Sequence, residues 1–307
     1  ATLLATRAPV IVCPAMHTEM WEQPSVQENV EVLASRGVTI VGPEDGRLAG
    51  GDVGAGRLAD PATVVAAAEE VLGATRGDAG GDLAGLTVLV TAGGTREPIC
   101  PVRFLGNRSS GKQGHALVAE AAARGAQVRC VTTQPGTAPV GPGIDVTAVD
   151  TAAEMAAAVA AQAVDADIVL MAAAVADFRP VEVATEKIKK GDGPAEIRLE
   201  PTVDILAELG RSRSNGQVLV GFAAETQDLR QNAAAKLAAK GIDLIVANDV
   251  SAPRVGFEHD TNAVLVLDAG GGAREVPLAD KREVAGVVLD AALAIHKTNR
   301  TGNGDAR

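Results

Sequence analysis

Apolar runs of strand length alternate with Ala-rich runs of helical length through nearly the whole chain. Short aliphatic, β-branched runs bounded by turn residues mark strands over 9–14, 38–42, 86–92, 127–133, 167–173, 217–223, 243–248 and 262–268. Longer stretches with apolar residues three and four apart predict helices over 24–36, 61–73, 111–125, 151–164, 202–211, 226–240 and 279–297. Strands and helices that alternate in this way build a parallel sheet covered on both faces. The expected fold class is therefore α/β, with a doubly wound, mostly parallel sheet. GATRGDAGGD, 73–82, interrupts the alternation. It is rich in Gly, mixed in charge and without periodicity, which is the composition of a linker. The expected boundaries are a first segment over 1–75, a linker over 76–84, a larger domain over 85–298 and a polar, disordered tail over 299–307.

The densest local signal is LTVLVTAGGTREPICPVRFLGNRSSGKQG, residues 86–114. An apolar strand runs into Gly93 and Gly94, which allow a tight turn and bring backbone N–H groups near a ligand. A second loop, Ser109, Ser110 and Gly111, precedes a helical run whose positive dipole end suits an anion, and Lys112 adds a full charge there. Two anion-accepting loops in series point to a ligand with more than one phosphate. GNRSSGKQ, 106–113, nearly matches the phosphate-binding P-loop, but Gln113 stands where a magnesium-binding Ser or Thr is required, so a P-loop NTPase is excluded. The alternative reading is that both turns are ordinary strand-to-helix connections.

Composition narrows the partners. The formal net charge of −11 and a pI near 4.9 oppose binding to nucleic acid or to an anionic membrane surface, although small anions can still be held where Lys is concentrated. Aromatic residues are only 2% and Tyr is absent, so the core must be aliphatic. Cys13, Cys100 and Cys130 are odd in number and lack CxxC spacing, as expected of buried thiols in a reducing cytoplasm. The chain shows no membrane-spanning apolar run. A cytoplasmic location is expected.

Asp177 follows the strand ADIVLMAAAVAD, and a carboxylate at the carboxyl end of a parallel strand is a candidate nucleotide or metal contact. Lys187, Lys189 and Lys190 form a basic knot in an acidic chain; the alternative is a solvated loop. Lys236 and Lys240 lie four apart on one helix face, which also suits two exposed lysines. Phe222 ends a strand, where a core position competes with stacking on a base. The four histidines lack metal-site spacing, and no nucleophile elbow or Cys/His pair appears. Chemistry by positioned charges remains.

These residues together resemble the bifunctional coenzyme A biosynthesis family, which joins phosphopantothenoylcysteine decarboxylase to phosphopantothenate cysteine ligase. The matching segments are TAGGTREP, PVRFLGN, SSGK, AAVADF, KIKK, GFAAET and ANDV, in the family's order and spacing. The resemblance implies a Rossmann-like ligase domain that activates 4'-phosphopantothenate with CTP and Mg2+, then passes the acyl-cytidylate to the amine of cysteine. It implies that Lys187 is the catalytic cation and that Asn107 holds the acyl-cytidylate. It further implies a nucleotide site made of the glycine loops with Met171, Ala172, Ala173 and Asp177. Val203, Asp204, Ile205 and Leu206 would add a second wall of that site, and Phe222, Lys236 and Lys240 a third. Arg103 is implied to contact the phosphate of phosphopantothenate, and Asp177 to be the protein's contact with the metal. The partners implied are the three substrates and a second copy of the ligase domain, with a larger assembly in the full-length family.

The first 75 residues resemble the last part of the flavin-dependent decarboxylase, a flavoprotein-like α/β segment. PAMHTEMW matches a substrate clamp, with His17 where Asn is usual, and GRLAGGDVGAGRLAD matches the following loop, with Gly50 where an acid Cys is expected. The expectation is an N-terminally truncated remnant without decarboxylase activity, FMN being a cofactor of the full-length family. Two rivals stand beside this reading. An NAD(P)-dependent oxidoreductase shares the sheet, but TAGGTREP lacks the third glycine of GxGxxG, and the chain has no Tyr to act as acid. A non-catalytic nucleotide-binding module would keep the glycine loops without needing Lys187.

Overall fold

The computed structural model describes residues 6, 8–48, 50–51, 53–75, 81–189, 196–214, 216–225, 228–249 and 259–302. Contacts divide the chain into two compact units, Ala1–Gly80 and Gly81–Arg307. In the first unit, β1 (Ile11–Val12) leads through α1 (Thr18–Trp21) and α2 (Pro24–Ser35) to β2 (Thr39–Ile40), its parallel partner. The hairpin β3 (Glu44–Arg47) and β4 (Val53–Arg57) and the helix α3 (Pro61–Thr75) complete it. Both parallel strands are shorter than their apolar runs. The segment before α1 is tied to β4 by the Met16 N–H, which donates to the Gly56 carbonyl at 2.9 Å.

The second unit opens with β5 (Thr87–Ala92), then the hairpin β6 (Arg96–Cys100) and β7 (Arg103–Gly106), and α4 (Lys112–Ala123). It continues with β8 (Gln127–Thr132), β9 (Ile144–Ala148), α5 (Ala152–Gln162) and β10 (Ile168–Met171). Two short strands, β11 (Phe178–Pro180) and β12 (Leu199–Pro201), pair antiparallel and precede α6 (Ile205–Ser212) and β13 (Val218–Glu225). The last elements are α7 (Leu229–Lys240), β14 (Leu244–Asp249), β15 (Thr261–Asp268), β16 (Ala273–Asp280) and α8 (Lys281–Gly302). The main sheet has eight strands in the order β16-β15-β14-β13-β10-β5-β8-β9. The six from β14 to β9 run parallel; β15 and β16 turn back antiparallel.

Strand periodicity explains the double winding. Val88 and Val90 point to a core shared with Leu117, Val118 and Ala121 of α4 and Val284, Val288 and Leu289 of α8. Leu89, between them, points to the other face, where Met155, Val159, Leu209 and Leu237 cover the sheet. Local signals set the helix starts. Thr151 accepts from the Glu154 N–H at 3.2 Å while Glu154 accepts from the Thr151 N–H at 3.2 Å, a reciprocal capping box.

Every strand expected from the apolar pattern is present, but β9, β16 and the hairpin strands were not expected. Those of the hairpins are short and only partly buried, so they lack the continuous apolar run on which the expectation rested. Residues 76–80 of the expected linker lie outside the described residues. The rest of it belongs to the second unit: Leu83 is fully buried, and its N–H donates to the Arg124 carbonyl at 3.1 Å. Helix α8 runs on to Gly302, past the expected start of the tail, and residues 303–307 lie outside the described residues. Cys100 and Cys130 are buried, as expected of structural thiols, whereas Cys13 is half-buried. No helix among the described residues is long and apolar enough to cross a membrane.

Candidate active site at the crossover of the sheet

From β5 the chain winds one way, through β8 to β9; from β10 it winds the other way, through β13 to β14. The crevice at the carboxyl ends of β5 and β10 is thus the switch point at which open α/β sheets bind ligands. The two strand-end loops are sewn together. Gly94 bridges to Ala174, the Ala174 N–H donates to the Gly93 carbonyl at 2.8 Å, and the Thr95 N–H returns to the Ala174 carbonyl at 3.3 Å. Hydroxyls add to the seam: Thr91 accepts from the Ala173 N–H at 3.0 Å and buried Thr95 from the Ala176 N–H at 2.9 Å. Asn107 closes it, its amide donating to the carbonyls of Ala174 and Val175 at 3.3 and 3.1 Å.

A cavity of about 770 Å3 opens above this seam. Its lining includes Asn107, Ser109, Ser110, Gly111 and Lys112 from the loop into α4, and Met171, Ala172, Ala173 and Asp177 after β10. Val203, Asp204, Ile205 and Leu206 at the start of α6 form a further wall, with Phe222 from β13 and Lys236 and Lys240 from α7. Asp204 caps α6 by accepting from the Ala207 N–H at 3.0 Å, and the same oxygen meets Lys240 Nζ at 3.2 Å. Lys236 Nζ lies 2.6 Å from Glu225. The cations on the lining, Arg108, Lys112, Lys236, Lys240 and Lys281, face two carboxylates, Asp177 and Asp204, in a chain of net charge −11. The cavity therefore suits an anion.

Four expected site residues stand elsewhere. Gly93 and Gly94 do not line the cavity. At φ +89°, Gly93 has its side-chain space filled by the Thr133 hydroxyl, and a Cβ on Gly94 would come within 2.6 Å of the Asn107 carbonyl. Loop packs on loop at both positions, which leaves no room for a side chain. Arg103 and Lys187 are also absent from the lining. Lys187 is exposed, and its loop is laid along the β6–β7 hairpin. The Ala184 N–H donates to the Ile99 carbonyl at 3.0 Å, and Arg103 Nη1 donates to the Ile188 carbonyl at 3.0 Å. Lys190 lies outside the described residues.

Sequence reasoning missed other lining residues, among them Gln113, Thr202, Asn248, Asn262 and Lys281. Asn248 sits in the matched segment ANDV; Lys281 has no local signature and is delivered by the antiparallel return of β16. His115 is buried behind the Ser109–Lys112 loop, with Nε2 3.2 Å from the Thr132 hydroxyl; burial pushes its pKa down. Among the described residues no group of three or more His, Cys, Asp and Glu side chains is placed to hold a metal ion. Magnesium is commonly held by one or two carboxylates and substrate phosphates, so Asp177 at the cavity fits it as a single protein ligand.

A model of the DNA/pantothenate metabolism flavoprotein C-terminal domain matches residues 83–295, and a flavoprotein model matches residues 1–73. The coenzyme A biosynthesis bifunctional protein CoaBC of Mycobacterium bovis is 47% identical over 302 residues, 95% of this chain and 72% of that protein. The chain belongs to this coenzyme A biosynthesis family. The Bacillus subtilis CoaBC is 44% identical over 96% of this chain and 72% of its own length. Among solved structures, the C-terminal domain of a coenzyme A biosynthesis bifunctional protein CoaBC superposes with a TM-score of 0.59 at 36% identity, covering 71% of this chain and 98% of that domain. The cavity lies wholly within the part of the chain matched by the C-terminal family model.

Proposed function

We propose that the second unit is the phosphopantothenate cysteine ligase of the family, using CTP. The observation that carries this reading is the cation-lined cavity at the sheet's switch point, where the SSGK loop, the AAVADF loop and the α6 start meet. A carboxylate is a poor electrophile until one oxygen is bonded to phosphorus as a mixed anhydride. In the first step a carboxylate oxygen of 4'-phosphopantothenate attacks the α-phosphorus of CTP, the bond to the β-phosphate breaks, and pyrophosphate leaves. In the second, the amine of cysteine attacks the acyl carbon, gives up a proton, and CMP leaves with the bonding pair. The charge that develops at phosphorus calls for preorganised cations, and Lys187 is the cation assigned to it; loss of one such contact costs about 3 to 4 kcal/mol at the barrier. Mg2+ held by Asp177 would neutralise charge on the phosphates.

The walls sort the nucleotide. The N–H groups of Ala172, Ala173 and Ala174 are spent on Leu170 O, Thr91 Oγ1 and Gly93 O, and the Ala174 carbonyl on Thr95 and Asn107, so the carbonyl oxygens of Ala172 and Ala173 are what this stretch offers a base. Acceptors suit the exocyclic amine of cytosine. Lys187 and Arg103 reach a cavity as part of a homodimer. Val102, Phe104, Phe178 and Val183 are each at least half exposed on or beside the two hairpins that carry them, and pairing of these hairpins with a second copy would cover an apolar surface. Decarboxylation is assigned no residue here, since Gly50 stands where an acid Cys is expected, and no step uses FMN. The test is pyrophosphate release from CTP and 4'-phosphopantothenate. Wild type should release it, and Lys187→Ala should slow release about 10²- to 10³-fold. No release by wild type, or equal release by the variant, rejects the reading.

A further inference from the structure

Four elements converge on the wall of the cavity that adjoins α4. Lys112 and Gln113 open α4, Asn248 is next to last in β14, Asn262 is second in β15 and Lys281 begins α8. A chain of amides fixes them. Asn248 Nδ2 donates to Asn262 Oδ1 over a long 3.5 Å, Asn262 Nδ2 donates to Gln113 Oε1 at 3.3 Å, and Gln113 Nε2 donates to the Lys281 carbonyl at 3.1 Å. The position that bars a P-loop thus has its own task, which is to hold the first residue of α8 against the phosphate loop.

Lys281 is 5% exposed, in a part of the wall where Lys112 and Asp260 both act on its charge. Asp260 commits itself to the other lysine, with its Oδ1 2.6 Å from Lys112 Nζ, and is itself open to water. Burial and the neighbouring Lys112 push the Lys281 amine down to about 8. Two lysines brought together on one amide-lined cavity wall favour an anion beside them. Lys112 belongs both to the Ser109–Lys112 loop and to this wall, so the wall extends the phosphate loop along the cavity.

We propose that Lys281, with Lys112 and the amides of Gln113, Asn248 and Asn262, forms a pyrophosphate subsite that takes the outer two phosphates of the nucleoside triphosphate and holds them as the leaving group. The proposal rests on the ligase reading for the identity of the nucleotide. Lys281 is a binding and positioning residue here, and the first step needs no proton from it: pyrophosphate departs with the electron pair of the broken P–O bond.

The experiment is calorimetric titration of the full chain with inorganic pyrophosphate, and separately with CMP, in the presence of Mg2+. Lys281→Met should weaken pyrophosphate about tenfold or more, the worth of one charge-assisted hydrogen bond, while CMP binds within about twofold of wild type. Lys281→Arg should restore most of the pyrophosphate affinity, which a merely structural loss would not allow. Lys281→Gln serves the same comparison if the Met variant fails to fold. Unchanged pyrophosphate affinity in a folded Met or Gln variant, or an equal loss for CMP, overturns the proposal. Pyrophosphate binding that depends on Lys281 in a protein that never turns over CTP keeps the subsite and removes the ligase reading instead.

Discussion

Two regions at one sheet edge differ in how completely a single chain builds them. The cavity walls are made by loops sewn to each other and to buried strands: Thr91, Thr95 and Asn107 close the seam, and Lys236 and Lys240 sit in ion pairs with Glu225 and Asp204. The hairpins that carry Arg103 and Lys187 are anchored just as firmly at their base. Buried Glu97 accepts from the Ala152 N–H at 2.8 Å at the start of α5, and the Arg96 N–H reaches the Asp150 carbonyl at 2.8 Å. Yet their outer faces are exposed, and their catalytic candidates do not line the cavity. The difference teaches that the cavity walls are preformed within one copy, whereas the hairpins that carry Arg103 and Lys187 leave an open face, which the proposed dimer would cover.

The sharpest way to break that comparison is to mix two inactive proteins. Lys187→Ala and Asp177→Asn should each be nearly inactive in pyrophosphate release, yet activity should return once subunits exchange, because one site in each mixed dimer then receives an intact Lys187 from one copy and an intact Asp177 from the other. Absence of recovery after exchange, confirmed by mass, would mean that both residues serve from the same chain. The next largest effect separates the two steps. Asn107→Ala should slow CMP formation on addition of cysteine about tenfold or more, the loss of one or two hydrogen bonds in the site, while acyl-cytidylate accumulates. Equal slowing of both steps would move Asn107 to the seam alone, where its amide already holds Ala174 and Val175.

The smallest effect sharpens the same contrast through stability. Lys281 is held at about 8 in the folded protein, against 10.5 for an ordinary lysine. Between those values the unfolded chain keeps a proton that the folded one has released, so this group adds to stability as pH rises through the window. Denaturant midpoints at about pH 7.5 and about pH 9.5 should therefore shift upward in wild type relative to Lys281→Met. Parallel pH dependence in the two proteins would show the amine to be as well hydrated as an ordinary surface lysine.

Residues four or fewer apart, and strands with a long apolar run, carried most of what could be read directly. The parallel strands, the helix starts at Thr151 and Asp204, and the loop Ser109–Lys112 are set by periodicity, capping and dipole, all of which are local. Most of the residues expected at the nucleotide, from Met171 to Lys240, line one cavity because strand ends and the start of α6 meet there, with Phe222 from β13 and Lys236 and Lys240 from α7. The roles of Gly93 and Gly94 were not legible in that way. Their neighbours Thr133 and Asn107 arrive from elsewhere in the chain, and a glycine needed for loop packing looks the same in sequence as one needed for a phosphate.

The sequence by itself determined the α/β class, the order of the parallel strands' building blocks and the motifs that carry the family, because these depend on side-chain period and on short fixed spacings. The tertiary structure decided which of those residues share a cavity and which stand outside it. It placed Lys281 within reach of Lys112 through an antiparallel return, and it laid Lys187 along an exposed hairpin. Proximity between residues more than a hundred positions apart is set by strand order and register, and no local pattern of side chains encodes either.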